Sequence, residues 1–164
     1  MTTVKLAYMD TSAITKRYVH ERGSDEVDTL YRAAEQGRIT LCYSVWNIGE
    51  VLGAIDKQKT RGNLTQLHRD AALFLYFKEN EKLTRLNSLI IIPITNTILV
   101  ESWKIIQEQH VYAADAIQIA SAAQTGSSLF LTADKRLVEA ASDHGLRAVN
   151  VEEEKNFEEL LKSQ

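Results

Sequence analysis

Cysteine and proline are nearly absent from this chain: Cys42 and Pro93 are the single representatives in 164 residues. One cysteine cannot close an internal disulfide. Cys42 also lies in the apolar run Ile39-Thr40-Leu41-Cys42-Tyr43, so a buried thiol and a reducing cytoplasm are expected. No positioned histidine is apparent that would make it a nucleophile. His20, His68, His110 and His144 are dispersed, and no Cys/His spacing suited to zinc exists. Of these four, only His110 falls close to a candidate site residue, Asp115. There is no Pro/Gly/Ser linker, internal repeat or low-complexity tract. No basic N-terminal stretch leads into a long apolar one, and no run reads as a membrane span, so no signal peptide and no membrane partner are expected. The formal net charge is −3, unlike the basic balance of a protein that coats nucleic acid non-specifically. A local basic rim beside an acidic site stays compatible with that charge.

What is present suits an ordinary globular chain, with 45% hydrophobic and 25% charged residues. The length fits one domain, 1–164, since domains commonly run about 100–150 residues. A chain this long buries roughly two thirds of its unfolded surface and needs no disulfide to fold. Short β-branched runs alternate with helical segments. Strands are expected at 4–9, 39–43, 89–94, 129–132 and 148–151. Helices are expected from Thr11, over 25–36 with Ser24 as N-cap, from a Ser44 cap to about Gln58, and over 66–79 and 81–89 as a helical hairpin within about 60–89. Further helices are expected over 96–110, 114–125 and 135–144, the last two closed by Gly126 and Gly145. Pro93 removes a ladder donor and marks an edge or bend. The tail 152–164 carries five acids and two lysines and reads as a loosely docked helix. Alternation of this kind implies an α/β fold with a mainly parallel sheet.

Four carboxylates stand in unusual company. Glu50 is the single charged residue between Ile39 and Ile55, and Asp115 the single one between Val111 and Leu131. Acids are rarely placed in such apolar surroundings without a partner. A solvated helix face for Glu50, opposite a Val45/Ile48/Leu52/Ile55 stripe, and a helix-dipole role for Asp115 are the simpler readings. Asp10 and Asp134 each follow an apolar strand and precede a helix. Ligands bind at that end of open α/β sheets, although Asp is also a preferred N-cap. Four carboxylates near one point repel unless a cation or protons neutralise them, and oxygen-only donors favour hard cations. Such cations assist phosphodiester hydrolysis.

These residues resemble the motifs of PIN domains, especially the VapC-like toxins of toxin–antitoxin pairs. Tyr8-Met9-Asp10-Thr11-Ser12-Ala13 is similar to the opening motif, and Ser44 to Glu50 resembles the second. Ala114-Asp115 leading an alanine-rich helix resembles the third, and Leu131-Thr132-Ala133-Asp134-Lys135-Arg136-Leu137 the fourth. The resemblance spans nearly the whole chain in the family's order. It implies a three-layer α/β/α sandwich and an acidic Mg2+ or Mn2+ pocket of Asp10, Glu50, Asp115 and Asp134, supported by Ser12 and Thr132. It further implies endoribonuclease activity, an RNA substrate, an antitoxin protein and a homodimer, the segment 60–89 serving packing, dimerisation or antitoxin contact. Lys16, Arg17, Lys57, Lys135 and Arg136 are candidates for phosphate contacts.

Competing readings fare less well. A haloacid-dehalogenase phosphatase needs a second Asp two residues after the first, where this chain has Ser12. A receiver domain needs paired acids near the first strand end. A P-loop NTPase needs a Gly-x-x-x-x-Gly-Lys-Ser/Thr run, which is missing. A non-catalytic RNA- or protein-binding module and a stand-alone RNA-processing nuclease share the same motifs.

Overall fold

A computed structural model describes residues 5–154 and 156–162. Five strands form one parallel sheet in the order β3-β2-β1-β4-β5: β1 (Lys5–Met9), β2 (Ile39–Ser44), β3 (Leu89–Ile92), β4 (Leu129–Thr132) and β5 (Ala148–Asn150). Helices flank the sheet in a three-layer α/β/α sandwich, as the strand–helix alternation requires. The inner strands are almost continuously apolar because both faces are covered. Residues Ala7 to Met9, Leu41 to Tyr43 and Leu129 to Leu131 are all buried. Tyr8 and Phe130 are Cα partners across β1 and β4, and their rings stack with centroids 5.3 Å apart. At the edge, β3 keeps Leu89 and Ile92 inside while Ile90 and Ile91 face out, and the strand ends before Pro93.

The helices are α1 (Thr11–Thr15), α2 (Ser24–Glu35), α3 (Val45–Thr60), α4 (Gln66–Arg85), α5 (Asn96–Gln109), α6 (Ala113–Gln124), α7 (Lys135–Asp143) and α8 (Phe157–Lys162). In α6 every residue from Ala116 to Ala122 is buried. Its alanines let neighbouring elements approach closely on all sides. Gly126 and Gly145 follow α6 and α7 with φ of 66° and 88°, left-handed conformations that stop a helix and suit glycine.

Several boundaries differ from the sequence expectation. The segment 60–89 is not a self-contained hairpin: α4 runs uninterrupted through Asn80, and the helix it packs against is α3. Tyr76, Asn80 and Leu83 are buried on one stripe of α4, so a tertiary surface carries the helix through the polar stretch Glu79-Asn80-Glu81 that reads locally as a break. The N-cap of α2 is Gly23 rather than Ser24. Ser24 is already helical, and its hydroxyl donates to the Lys16 carbonyl and accepts from the Glu21 amide. The core stripe of α3 is Asn47/Val51/Ile55, while Val45 is exposed. The third strand stops at Ile92, and Val4 lies outside the described residues. The tail is docked more firmly than its charge suggests: Phe157 is buried, and Lys5 Nζ donates to the Leu160 and Leu161 carbonyls near the end of α8.

A candidate acidic metal centre

The strand order places a topological switch between β1 and β4, since the chain leaves β1 toward β2 on one side and returns to β4 on the other. Open α/β sheets bind ligands in the crevice at such a point. Asp10 and Asp134 follow the carboxyl ends of these two strands, and the Asp10 amide donates to the Leu131 carbonyl at 2.9 Å. Glu50 comes from the second turn of α3 and Asp115 from the first turn of α6. All four carboxylates line one cavity of about 350 Å³. The structure therefore brings together the four acids that stood out in the sequence.

Each acid is held differently. Asp10 is 4% exposed, and its Oδ2 accepts from the hydroxyls of Ser12 and Thr132, the latter at 2.8 Å. Those hydroxyls accept in turn from the Ala133 and Asp134 amides at 2.9 and 3.0 Å. Ser12 and Thr132 thus tie the end of β1 to the end of β4 and aim Asp10. Asp134 caps α7, Oδ1 accepting from the Arg136 and Leu137 amides. Capping and cavity lining coexist here, because Oδ2 accepts no hydrogen bond from any described residue. The same holds for Oδ1 of Asp10. Glu50 Oε2 accepts from Thr11 Oγ1 at 2.9 Å and Gln118 Nε2 at 3.0 Å, and the Trp46 indole one turn earlier also faces the carboxylate. Burial, with Asp10 nearby, raises the Glu50 pKa.

Asp115 is the outlier. It is half-buried, and no described residue donates to its carboxylate. Burial first, then the charges of Asp10, Asp134 and Glu50, push its pKa up to about 6. Desolvation and like charge both disfavour an ionised carboxylate, and a nearby cation reverses both effects. This oxygen-only donor set, with an unpartnered carboxylate among three others, fits a hard divalent cation. Among the described residues no three acids are gathered tightly enough to enclose an ion as the side chains stand. The free oxygens would have to turn inward to share one.

The sequence reading missed the polar support beneath the acids. Asn47 Oδ1 accepts from Tyr8 Oη and from the Ser44 amide and hydroxyl, while its Nδ2 donates to Thr11 and Gln118. Thr11 and Gln118 are the residues that hold Glu50. Asn47 and Gln118 sit buried in the same uncharged stretches that made Glu50 and Asp115 conspicuous. Looking for amides as well as acids there would have found them. Glu21, a fifth acid, also lines the cavity and pairs with the buried Lys16 at 3.0 Å.

Most of the candidate phosphate contacts are engaged elsewhere. Lys16 bridges Glu21 and Glu152, Arg17 bridges Asp28 and Glu79, and Lys135 pairs with Glu153. Lys57 does not line the acidic cavity. Arg136 lies beside Asp115 and Asp134. Cys42 is buried, with its thiol pushed up to about 12 by desolvation, and is unsuited to nucleophilic chemistry. His110 adopts a left-handed conformation (φ 53°) as the C-cap of α5.

The sequence model of the PIN domain matches residues 7–143. The chain belongs to the PIN-domain family. PIN domains are generally nucleases that typically use divalent metals. Similar solved structures include PAE2754 from Pyrobaculum aerophilum, at TM-score 0.64 and 16% identity over 99% of this chain and all of that one. VapBC2 from Rickettsia felis, solved with a DNA fragment from its promoter, aligns at TM-score 0.62 and 12% identity over 88% of this chain and 98% of that one. FitAcB from Neisseria gonorrhoeae aligns at 0.59 and 16%, over 90% and 99%. At these identities the similarity is one of fold. Among curated proteins none matches the chain in sequence. No helix among the described residues is long and apolar enough to cross a membrane.

Proposed function

We propose that this PIN domain is a metal-dependent endoribonuclease and the toxin of a toxin–antitoxin pair, working in the cytoplasm. The observation that carries the nuclease reading is the convergence of Asp10, Glu50, Asp115 and Asp134 on one cavity at the sheet's switch point, with Asp115 unpartnered. Magnesium or manganese bound there would supply Lewis-acid stabilisation of the phosphodiester and acidify the attacking water. Asp10, Glu50 and Asp115 would hold the principal ion, and Asp134 would complete the pocket through the oxygen not used in capping. Ser12 and Thr132 would orient Asp10, and Thr11 and Gln118 would orient Glu50, so these two carboxylates are positioned by neighbours before the free oxygens turn toward an ion. Cleavage is expected to leave a 5′-phosphate and a 3′-hydroxyl.

The toxin role is supported by the fold shared with VapBC2 and FitAcB. Large apolar residues also lie exposed on α4 (Leu67, Phe74, Leu75, Phe77) and α5 (Val100, Trp103). Apolar area of this kind commonly marks protein contacts, here an antitoxin and a second copy of the chain.

The test is to incubate the protein and its Asp10→Asn variant with total tRNA and ribosomal RNA, in magnesium, in manganese or in EDTA, and to map fragment ends. Metal-dependent cleavage that vanishes in the variant is the expected result. Full activity in a well-folded Asp10→Asn variant would sink the site. No cleavage by a preparation that binds manganese and is free of antitoxin would favour a non-catalytic binding module.

A further inference from the structure

A second cavity, of about 270 Å³, adjoins the acidic one and shares Asp115, Asp134 and Leu137 with it. Its remaining wall includes Tyr112 and Arg136. Each of these two residues contradicts the ordinary preference of its position. Tyr112 occupies the N-cap of α6, where Ser, Thr, Asp and Asn are favoured because their side chains satisfy backbone amides. It makes no such bond. The residue is 82% exposed, and neither ring nor hydroxyl has a partner among the described residues. It is therefore neither core nor cap. Arg136 lies in the first turn of α7, where the helix dipole disfavours a cation. It is exposed and forms no salt bridge among the described residues, its charge acting on Asp115 of the same cavity only through space. The left-handed turn at His110 and the half-buried Val111 bring the chain into α6 at this point.

An exposed aromatic face beside a guanidinium that no described residue holds in a salt bridge, at the margin of a carboxylate cluster, has the chemistry of a nucleotide site. Unstacked bases stack on aromatic rings, and arginine holds phosphate. A base inside a duplex has no free face to offer. Resting on the nuclease reading above, we propose that Tyr112 and Arg136 form a nucleotide subsite beside the acidic cavity. Tyr112 stacks an unpaired base and Arg136 holds the neighbouring phosphate, so the substrate must be single-stranded at this position.

The experiment compares binding of two short fluorescein-labelled single-stranded oligoribonucleotides, one intact and one with its central bases removed, by fluorescence anisotropy. Binding is read on an Asp10→Asn background so that cleavage does not intervene, and turnover of the intact strand is measured separately in the otherwise unaltered protein. Tyr112→Ala is expected to weaken binding of the intact strand about 10-fold and to leave binding of the abasic strand almost unchanged. Tyr112→Phe should restore most of the difference. Arg136→Gln should weaken both strands alike and lower the salt slope by about one. Equal binding of the intact strand by Tyr112→Ala and its parent would overturn the subsite. So would an equal loss on both strands, or no oligonucleotide binding at all. If base-dependent binding at Tyr112 persists while the protein cuts no RNA, the nuclease reading falls and the subsite stands.

Discussion

Gln118 Nε2, on α6, donates to Glu50 Oε2, on α3, at 3.0 Å. Gln118 Oε1 accepts from Asn47, which lies one turn before Glu50 on α3. A candidate metal ligand is thus fixed from beneath by a buried amide relay spanning two helices. Gln118→Leu should keep the fold and weaken magnesium or manganese binding about 10-fold, the usual cost of losing a partner that orients a ligand. Calorimetric titration with manganese checks this, and unchanged affinity would show that Thr11 and Trp46 suffice to hold Glu50.

Asn47 makes more bonds than any other buried amide around the acids, so its removal should register in stability before activity. Asn47→Ala strips partners from Tyr8, Ser44, Thr11 and Gln118. Unsatisfied buried polar groups cost about 1–3 kcal/mol each, and the whole loss should be about 3 kcal/mol because some groups will find water. Urea unfolding measures it.

Asp134 has two separable tasks. Asp134→Ala should lose about 1 kcal/mol through the missing cap of α7, together with metal-dependent activity. Asp134→Ser keeps a capping oxygen, so it should retain stability yet lose the activity. If both variants stay active, Asp134 is a cap and nothing more.

The metal-free protein should respond to pH through Asp115. Its folded pKa, about 6, lies above the unassociated value of 3.8. A folded pKa that is raised means the protonated form is favoured by folding. That contribution is complete below about pH 3.8 and is lost as pH rises through about 6. In EDTA, the melting temperature should therefore gain a downward component across that window, and Asp115→Asn should remove it. Added magnesium should restore stability above pH 6 in the parent and much less in the variant. Identical pH profiles for the two proteins in EDTA would refute the crowding of Asp115 by its neighbours.

Much of the candidate site was legible because its chemistry is costly. Glu50 and Asp115 stand out as single charges in long uncharged stretches, and Asp10 and Asp134 because strand ends meet helices there. Local patterns were least informative where packing decides. Nothing near Asn80 announces that α4 continues, because the buried stripe that carries it belongs to tertiary contacts. Lys16 and Arg17 look like free cations beside Asp10, yet their partners Glu152 and Glu79 lie far along the chain.

The sequence by itself determined the strand–helix alternation and the parallel sheet and singled out the four candidate acids, since hydrophobic period and isolated charge are local properties. Only the tertiary structure decided that these acids share one cavity, that Asp115 alone among them accepts no hydrogen bond from any described residue, and that Arg136 rather than its rivals lies beside Asp115 and Asp134. Those facts depend on strand order and on pairings between distant residues, which no local pattern encodes.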